Sequence, residues 1–154
     1  MKFKFFLVFI SFIFFNFTAL GTSLNSSIQE YTNYYESGKL ESKGTLLDGK
    51  KIGVWNFYHE NGNIAEEHSY INGDSYLGLK IFNESGTIVS SGIIINGKQE
   101  GEWRYFDEKG ILLIKMNFKN GVRNGIFVAY AEDGAPIVAG IFENNEIVQI
   151  DSIK

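Results

Sequence analysis

Residues 82–105 read FNESGTIVSSGIIINGKQEGEWRY, and the chain repeats their landmarks one period earlier and one period later. The opening aromatic recurs every 24 residues, at Tyr34, Tyr58, Phe82, Phe106 and Tyr130. A glycine follows each at Gly38, Gly62, Gly86, Gly110 and Gly134, and a glutamate falls two places before each glycine, at Glu36, Glu60, Glu84, Glu108 and Glu132. A fixed period of this size marks a repeat array, in which each unit is stabilised by contact with its neighbours.

Each unit carries two turn signals. One is Glu-x-Gly, as in Glu84-Ser85-Gly86. The other is Asp-Gly or Asn-Gly, at Asp48-Gly49, Asn72-Gly73, Asn96-Gly97 and Asn120-Gly121. Asn-Gly between alternating apolar residues is a strong hairpin signal, because both central residues must take positive φ. Glu-x-Gly suits a longer hairpin loop with glycine at its left-handed position. Between turns the apolar residues alternate with period two, as in Leu112, Ile114, Met116 and Phe118, which is strand rather than helix spacing. The chain has a single proline, outside the four full repeats, as uninterrupted ladders require. The expected fold is therefore all-β: an elongated antiparallel meander of hairpins in a single-layer, open, twisted sheet, with two strands per repeat. A globular sandwich is the alternative, but sandwiches rarely keep one fixed register.

The expected organisation is a leader over residues 1–21, an N-terminal half-repeat over 22–33, four hairpin repeats over 34–129, and a degenerate capping repeat over 130–154. In the last unit Pro136 replaces an apolar residue, Asn145 a turn glycine, and Asp151 the tryptophan. Within the repeats a small residue pairs with a large one eleven places later. Gly44 goes with Trp55 and Gly92 with Trp103, whereas His68 goes with Leu79 and Met116 with Phe127. This alternation predicts that the indole lies over a side-chain-free glycine in the neighbouring strand.

Lys2 and Lys4 precede an apolar run from Phe5 to Phe15, and Ala19 and Gly21 stand at cleavage-site spacing. That is the pattern of an export signal, and the expected location is extracytoplasmic, periplasmic or secreted; an uncleaved anchor is the rival. With no cysteine in the chain, neither disulfides nor a cysteine-linked lipid can hold it. The net charge of −4 opposes phosphate backbones, so nucleic acid is not an expected partner. No nucleophile elbow, Walker loop or dinucleotide loop is present, and the glycines recur at turn spacing. The expectation is therefore a non-enzyme with no cofactor. His59 and His68 flank one turn but have no third ligand in sequence, so no metal is expected either.

The candidate contact residues are the turn glutamates Glu36, Glu60, Glu84, Glu108 and Glu132, which line one edge with Asp107 and Asp133 nearby. They form either an acidic strip for a basic partner or solvated turns. Tyr35 and Tyr76 lie off the shared aromatic pattern and join them as candidates. Lys50, Lys51, Lys98 and Arg123 mark the other edge. An open sheet also leaves two edge strands through which copies could associate; the last repeat is expected to blunt one of them.

The pattern aromatic-x3-Gly-x-Leu/Ile, Asn/Asp-Gly, Gly-x-Trp-x-x-aromatic resembles the MORN repeat, in the bacterial variant of YwqK-like antitoxin proteins. Tyr34 to Trp55 and Phe82 to Trp103 carry the likeness best. The resemblance implies a hairpin-repeat binding module, with some relatives paired to toxins and other MORN arrays binding proteins or lipids. It brings no catalytic residues. The leading expectation is an exported scaffold that binds a protein partner, antitoxin- or immunity-like. The alternative is an envelope-associated module on membrane or cell wall.

Overall fold

The computed structural model describes residues 11–13, 26–71, 73 and 75–153. Every element among them is a strand: β1 (Ser11–Ile13), β2 (Ile28–Tyr34), β3 (Leu40–Leu47), β4 (Lys50–Tyr58), β5 (Ile64–Tyr70), β6 (Tyr76–Phe82), β7 (Ile88–Ile95), β8 (Lys98–Phe106), β9 (Leu112–Lys119), β10 (Val122–Tyr130), β11 (Pro136–Glu143) and β12 (Glu146–Ser152). They form one open sheet in sequence order, each pair antiparallel, from β1–β2 to β11–β12. This is the single-layer meander that the alternating pattern predicts. β1 adds three residues to the N-terminal edge of β2. The rest of the leader segment lies outside the described residues.

The turn chemistry follows from the residues at the bends. Asp48 and Gly49 have φ of 50° and 77°, and Asn96 and Gly97 have 49° and 75°, the double positive φ of a type I′ hairpin. In the last unit Asn145 holds φ 74° without being glycine. Arg123 secures it: its backbone N–H donates to Asn145 Oδ1 at 3.0 Å and its guanidinium to Asn145 O at 3.3 Å. At the opposite edge the Glu-x-Gly turns place Gly86 at φ 85°. Polar side chains close these turns: Asn83 Oδ1 accepts from the N–H of Ser85 and of Thr87, and Asp107 Oδ1 from Lys109 and Ile111.

The repeats are not uniform in register. Between the pairs Lys43↔Asn56 and Thr45↔Ile52, Gly44 alone stands opposite Gly53, Val54 and Trp55. The same bulge recurs where Gly92 faces Gly101, Glu102 and Trp103, and where Asn117 faces Asn124, Gly125 and Ile126. Extra residues on one strand bend it and re-aim its side chains. In two of the three sites the result is a closed clasp. A Cβ added to Gly44 or Gly92 would overlap the indole of Trp55 or Trp103. Each indole N–H donates to a carbonyl across the hairpin, Trp55 to Thr45 at 3.0 Å and Trp103 to Ile93 at 3.1 Å. The β5–β6 ladder runs unbroken from Glu66↔Ile81 to Tyr70↔Leu77, with His68 directly opposite Leu79. There the glycine of the bulge is replaced by Leu77 and the tryptophan by Leu79, so nothing forces the strand open.

The core is a thin seam on one face. Trp55, Tyr70, Leu77, Trp103, Phe127 and Phe142 are the buried apolar residues, with Trp55 only 2% exposed. Tyr31, at the tryptophan position of the half-repeat, stacks on Trp55 at 5.3 Å between ring centres. Phe127 reaches the other way from the tryptophans: it covers Gly140 of the following strand, directly opposite in register, and packs on Phe142 at 4.9 Å.

The last repeat differs from the expected cap. Pro136 opens β11, and Asn144 and Asn145 turn the chain into β12, which pairs along β11 with one register shift between Ile141 and Phe142. Every residue of β12 is exposed, Ile150 by 61%. Among the described residues nothing covers that edge, because the β11–β12 hairpin continues the ladder instead of ending it.

Candidate interaction surfaces

Turn geometry sets out the acidic edge. Glu36, Glu60, Glu84, Glu108 and Glu132 each occupy the third position of a Tyr/Phe-x-Glu-x-Gly turn and are all exposed. The carboxylates of the neighbouring Asp107 and Asp133 are engaged, since each accepts backbone N–H within its own turn. Successive turns are tied together. Tyr35 donates its hydroxyl to the carbonyl of Tyr58, His59 Nε2 lies 3.0 Å from the carbonyl of Phe82, and Asn61 and Asn63 both donate to Glu84 O at 2.7 Å. Tyr35 is thus half-buried and engaged in a tie between repeats, at the same place in its unit as His59. Tyr76 is half-buried too, at the start of β6 opposite Ile95.

The two histidines stay apart in their contacts. His68 sets Nε2 at 2.7 Å from Glu66 and Nδ1 at 3.3 Å from the Tyr70 hydroxyl, on the aromatic face, while His59 serves its turn. Among the described residues no cluster of three metal-ligating side chains occurs.

On the opposite edge two of the expected basic residues fold inward over the aromatic face. Lys51 Nζ lies over the rings of Trp55, Phe57 and Tyr70, at 4.8, 5.4 and 5.5 Å from their centres. Arg123 lies over Phe142 at 4.7 Å. Cation–π attraction at these distances accounts for both positions. The aromatic face therefore carries its own cations, and its rings form a seam closed to solvent more than a row of open contact sites.

Directly opposed residues of antiparallel strands share a face, so the register traces a second, polar row on the other side of the sheet. It runs Thr32, Lys43, Asn56, Glu67, Lys80, Ser91, Arg104, Lys115, Val128, Ala139, Asp151 through ten consecutive pairings. Lys80 pairs with Glu67 at 2.7 Å and Arg104 with Glu102 at 2.8 Å. A recess of about 390 Å³ opens between these two ion pairs, lined by Ser69, Gly78, Lys80, Ser91 and Arg104 among others. The 24-residue period does contain this row, as two interleaved sets: Lys43, Glu67, Ser91, Lys115 and Thr32, Asn56, Lys80, Arg104. It escapes notice because its residue types vary, whereas the turns and aromatics repeat.

A family model described as MORN repeat variant matches residues 30–48, 51–72 and 99–120. These three stretches are MORN-like repeats. Each matched stretch spans one Glu-x-Gly hairpin, with Tyr31, Trp55 or Trp103 at its start. The two corresponding hairpins without a match begin at the positions of Leu79 and Phe127, where the tryptophan is lost. Both unmatched hairpins thus lack the Tyr or Trp start of the matched ones, and no Gly–Trp clasp forms at Leu79 or Phe127. No curated protein matches the chain.

Proposed function

We propose that this MORN-like protein is an exported, non-catalytic scaffold that binds a protein partner across its sheet, in the manner of an antitoxin or immunity factor. The observation that carries the reading is the single layer itself. Among the described residues the sheet is covered on neither face, which leaves Ile147, Val148 and Ile150 of β12 together in solvent, and adjacent uncovered apolar residues of this kind mark contact sites. Its polar row and acidic edge add charge of both signs, which favours selectivity among partners. The pattern of residues 1–21 supports an extracytoplasmic location.

The test is recovery of the tagged protein from its own cells, followed by chromatography of the complex. A protein in fixed stoichiometry, lost when Glu60 and Glu84 become Gln or Tyr76 becomes Ala, is the expected result. Purified protein that binds lipid vesicles or cell-wall polymer, and yields no stoichiometric partner, would contradict it in favour of an envelope-associated role.

A further inference from the structure

Gly78 is the residue for which the fold has no use. Every other glycine among the described residues either has positive φ or lies where a Cβ would overlap a neighbouring side chain or backbone atom. Gly78 has neither property: it sits in the regular β5–β6 ladder, and an added Cβ would meet only Ser69 Cβ, at 3.7 Å. Glycine inside a strand weakens it and often marks a close approach by another molecule. What its missing side chain leaves is the floor of the recess on the polar face.

The recess has a defined donor set. Lys80 and Arg104 flank Ser91 in the polar row, two strand spacings or about 10 Å apart. Lys80 is 52% and Arg104 54% exposed, so both can reach a bound group. One Lys80 N–H is taken by Glu67, which leaves two of its three donors. Arg104 gives Nε and Nη2 to a single oxygen of Glu102, which leaves the N–H groups of Nη1. The hydroxyls of Ser69 and Ser91 line the same space. The flanking Glu67 and Glu102 hold both cations in place and cancel their net charge. That offset favours a singly charged, planar acceptor, held by directed N–H and O–H donors, over a dianion such as phosphate. Along the same row Lys43 and Lys115 extend the basic character in each direction, although the chain as a whole is net negative.

We propose that Lys80, Ser91 and Arg104, over the Gly78 floor, form a carboxylate-binding recess that takes an acidic side chain from an extended segment of a protein partner. The proposal rests on the scaffold reading above and adds to it a surface and a partner chemistry. The partner segment carries further acidic residues, placed to meet Lys43 and Lys115.

The test is an amide-resolved NMR titration of the folded protein with a capped hexaglutamate peptide, and with hexaglutamine and inorganic phosphate as comparators. Hexaglutamate is expected to shift the amides of Gly78, Lys80, Ser91 and Arg104, at least tenfold more weakly in high salt, with no saturable shift from the comparators. Gly78→Val fills the recess with a residue that suits a strand, and with Lys80→Gln/Arg104→Gln it should abolish the shifts, while Lys109→Gln, which removes a cation from an exposed turn, leaves them unchanged. Shifts that survive in Gly78→Val, or that phosphate reproduces at equal concentration, would overturn the recess. So would a stoichiometric partner held equally well by Gly78→Val and by the unaltered protein, an outcome that leaves the scaffold reading standing.

Discussion

At the scale of single residues, glycine takes three distinct parts in this chain, and substitution separates them. At Gly92 the backbone is ordinary and the space above it is filled by Trp103. Gly92→Leu should therefore overpack the clasp and cost about 3 kcal/mol, read as a drop in the urea midpoint. Repeat two shows the compensated form of the same site, with His68 against Leu79. The double change Gly92→His/Trp103→Leu should accordingly recover much of what Gly92→His alone loses, a coupling that a double-mutant cycle measures. At Gly53 the space is open but φ is 63°, so Gly53→Ala should cost about 1 kcal/mol from backbone strain alone. Gly78 has neither constraint, and Gly78→Val should leave the midpoint unchanged or raise it. The clasp was legible in the eleven-residue spacing of Gly44 with Trp55 and Gly92 with Trp103. The covering of Gly140 by Phe127 was not, because it crosses to the next strand, thirteen residues on, and interrupts no period.

At the scale of elements, the Asp-Gly and Asn-Gly hairpins divide into bulged and regular ones, and each three-residue bulge contains a glycine. Gly53, Gly101 and Gly125 all hold positive φ, whereas the corresponding Leu77 keeps β6 in plain register. Changing Leu77 to Gly together with Leu79 to Trp and His68 to Gly should install a third clasp in repeat two. The expected readout is slowed exchange of the new indole N–H, as a bond to the neighbouring carbonyl requires; fast exchange would show that the three residues do not suffice. The turns were readable in advance because Asn-Gly and Glu-x-Gly state their φ requirements in residue type. The polar row was harder to see. Its members are joined only through the register, and the bulges shift that register by amounts that alternation of apolar residues does not reveal. The inward fold of Lys51 and Arg123 escaped for a related reason: a lysine beside a turn reads as solvated until its neighbours on its own and the adjacent strand prove to be aromatic.

At the scale of the whole molecule, every strand among the described residues pairs only with its neighbours in sequence, so stability is a sum of local terms. Removal of residues 130–154 takes away the strand that Phe127 covers and leaves β10 as the edge. Lower stability and salt-promoted aggregation should follow, seen by light scattering, with a soluble monomer of unchanged stability contradicting this. The fold class was legible because one period and one alternation both point to hairpins. What a partner would recognise was legible only in part, since the exposed turn glutamates announce themselves and the Gly78 recess does not. The described residues make one uncovered layer, and binding across the sheet depends on it. Small-angle X-ray scattering of the purified protein tests it most directly. Stacked at about 4.8 Å per strand, the sheet should give a skewed distance distribution that extends beyond about 50 Å. A symmetric distribution with a radius of gyration near about 15 Å, the value for a compact domain of this length, would mean that the faces are folded against each other and are not free to bind.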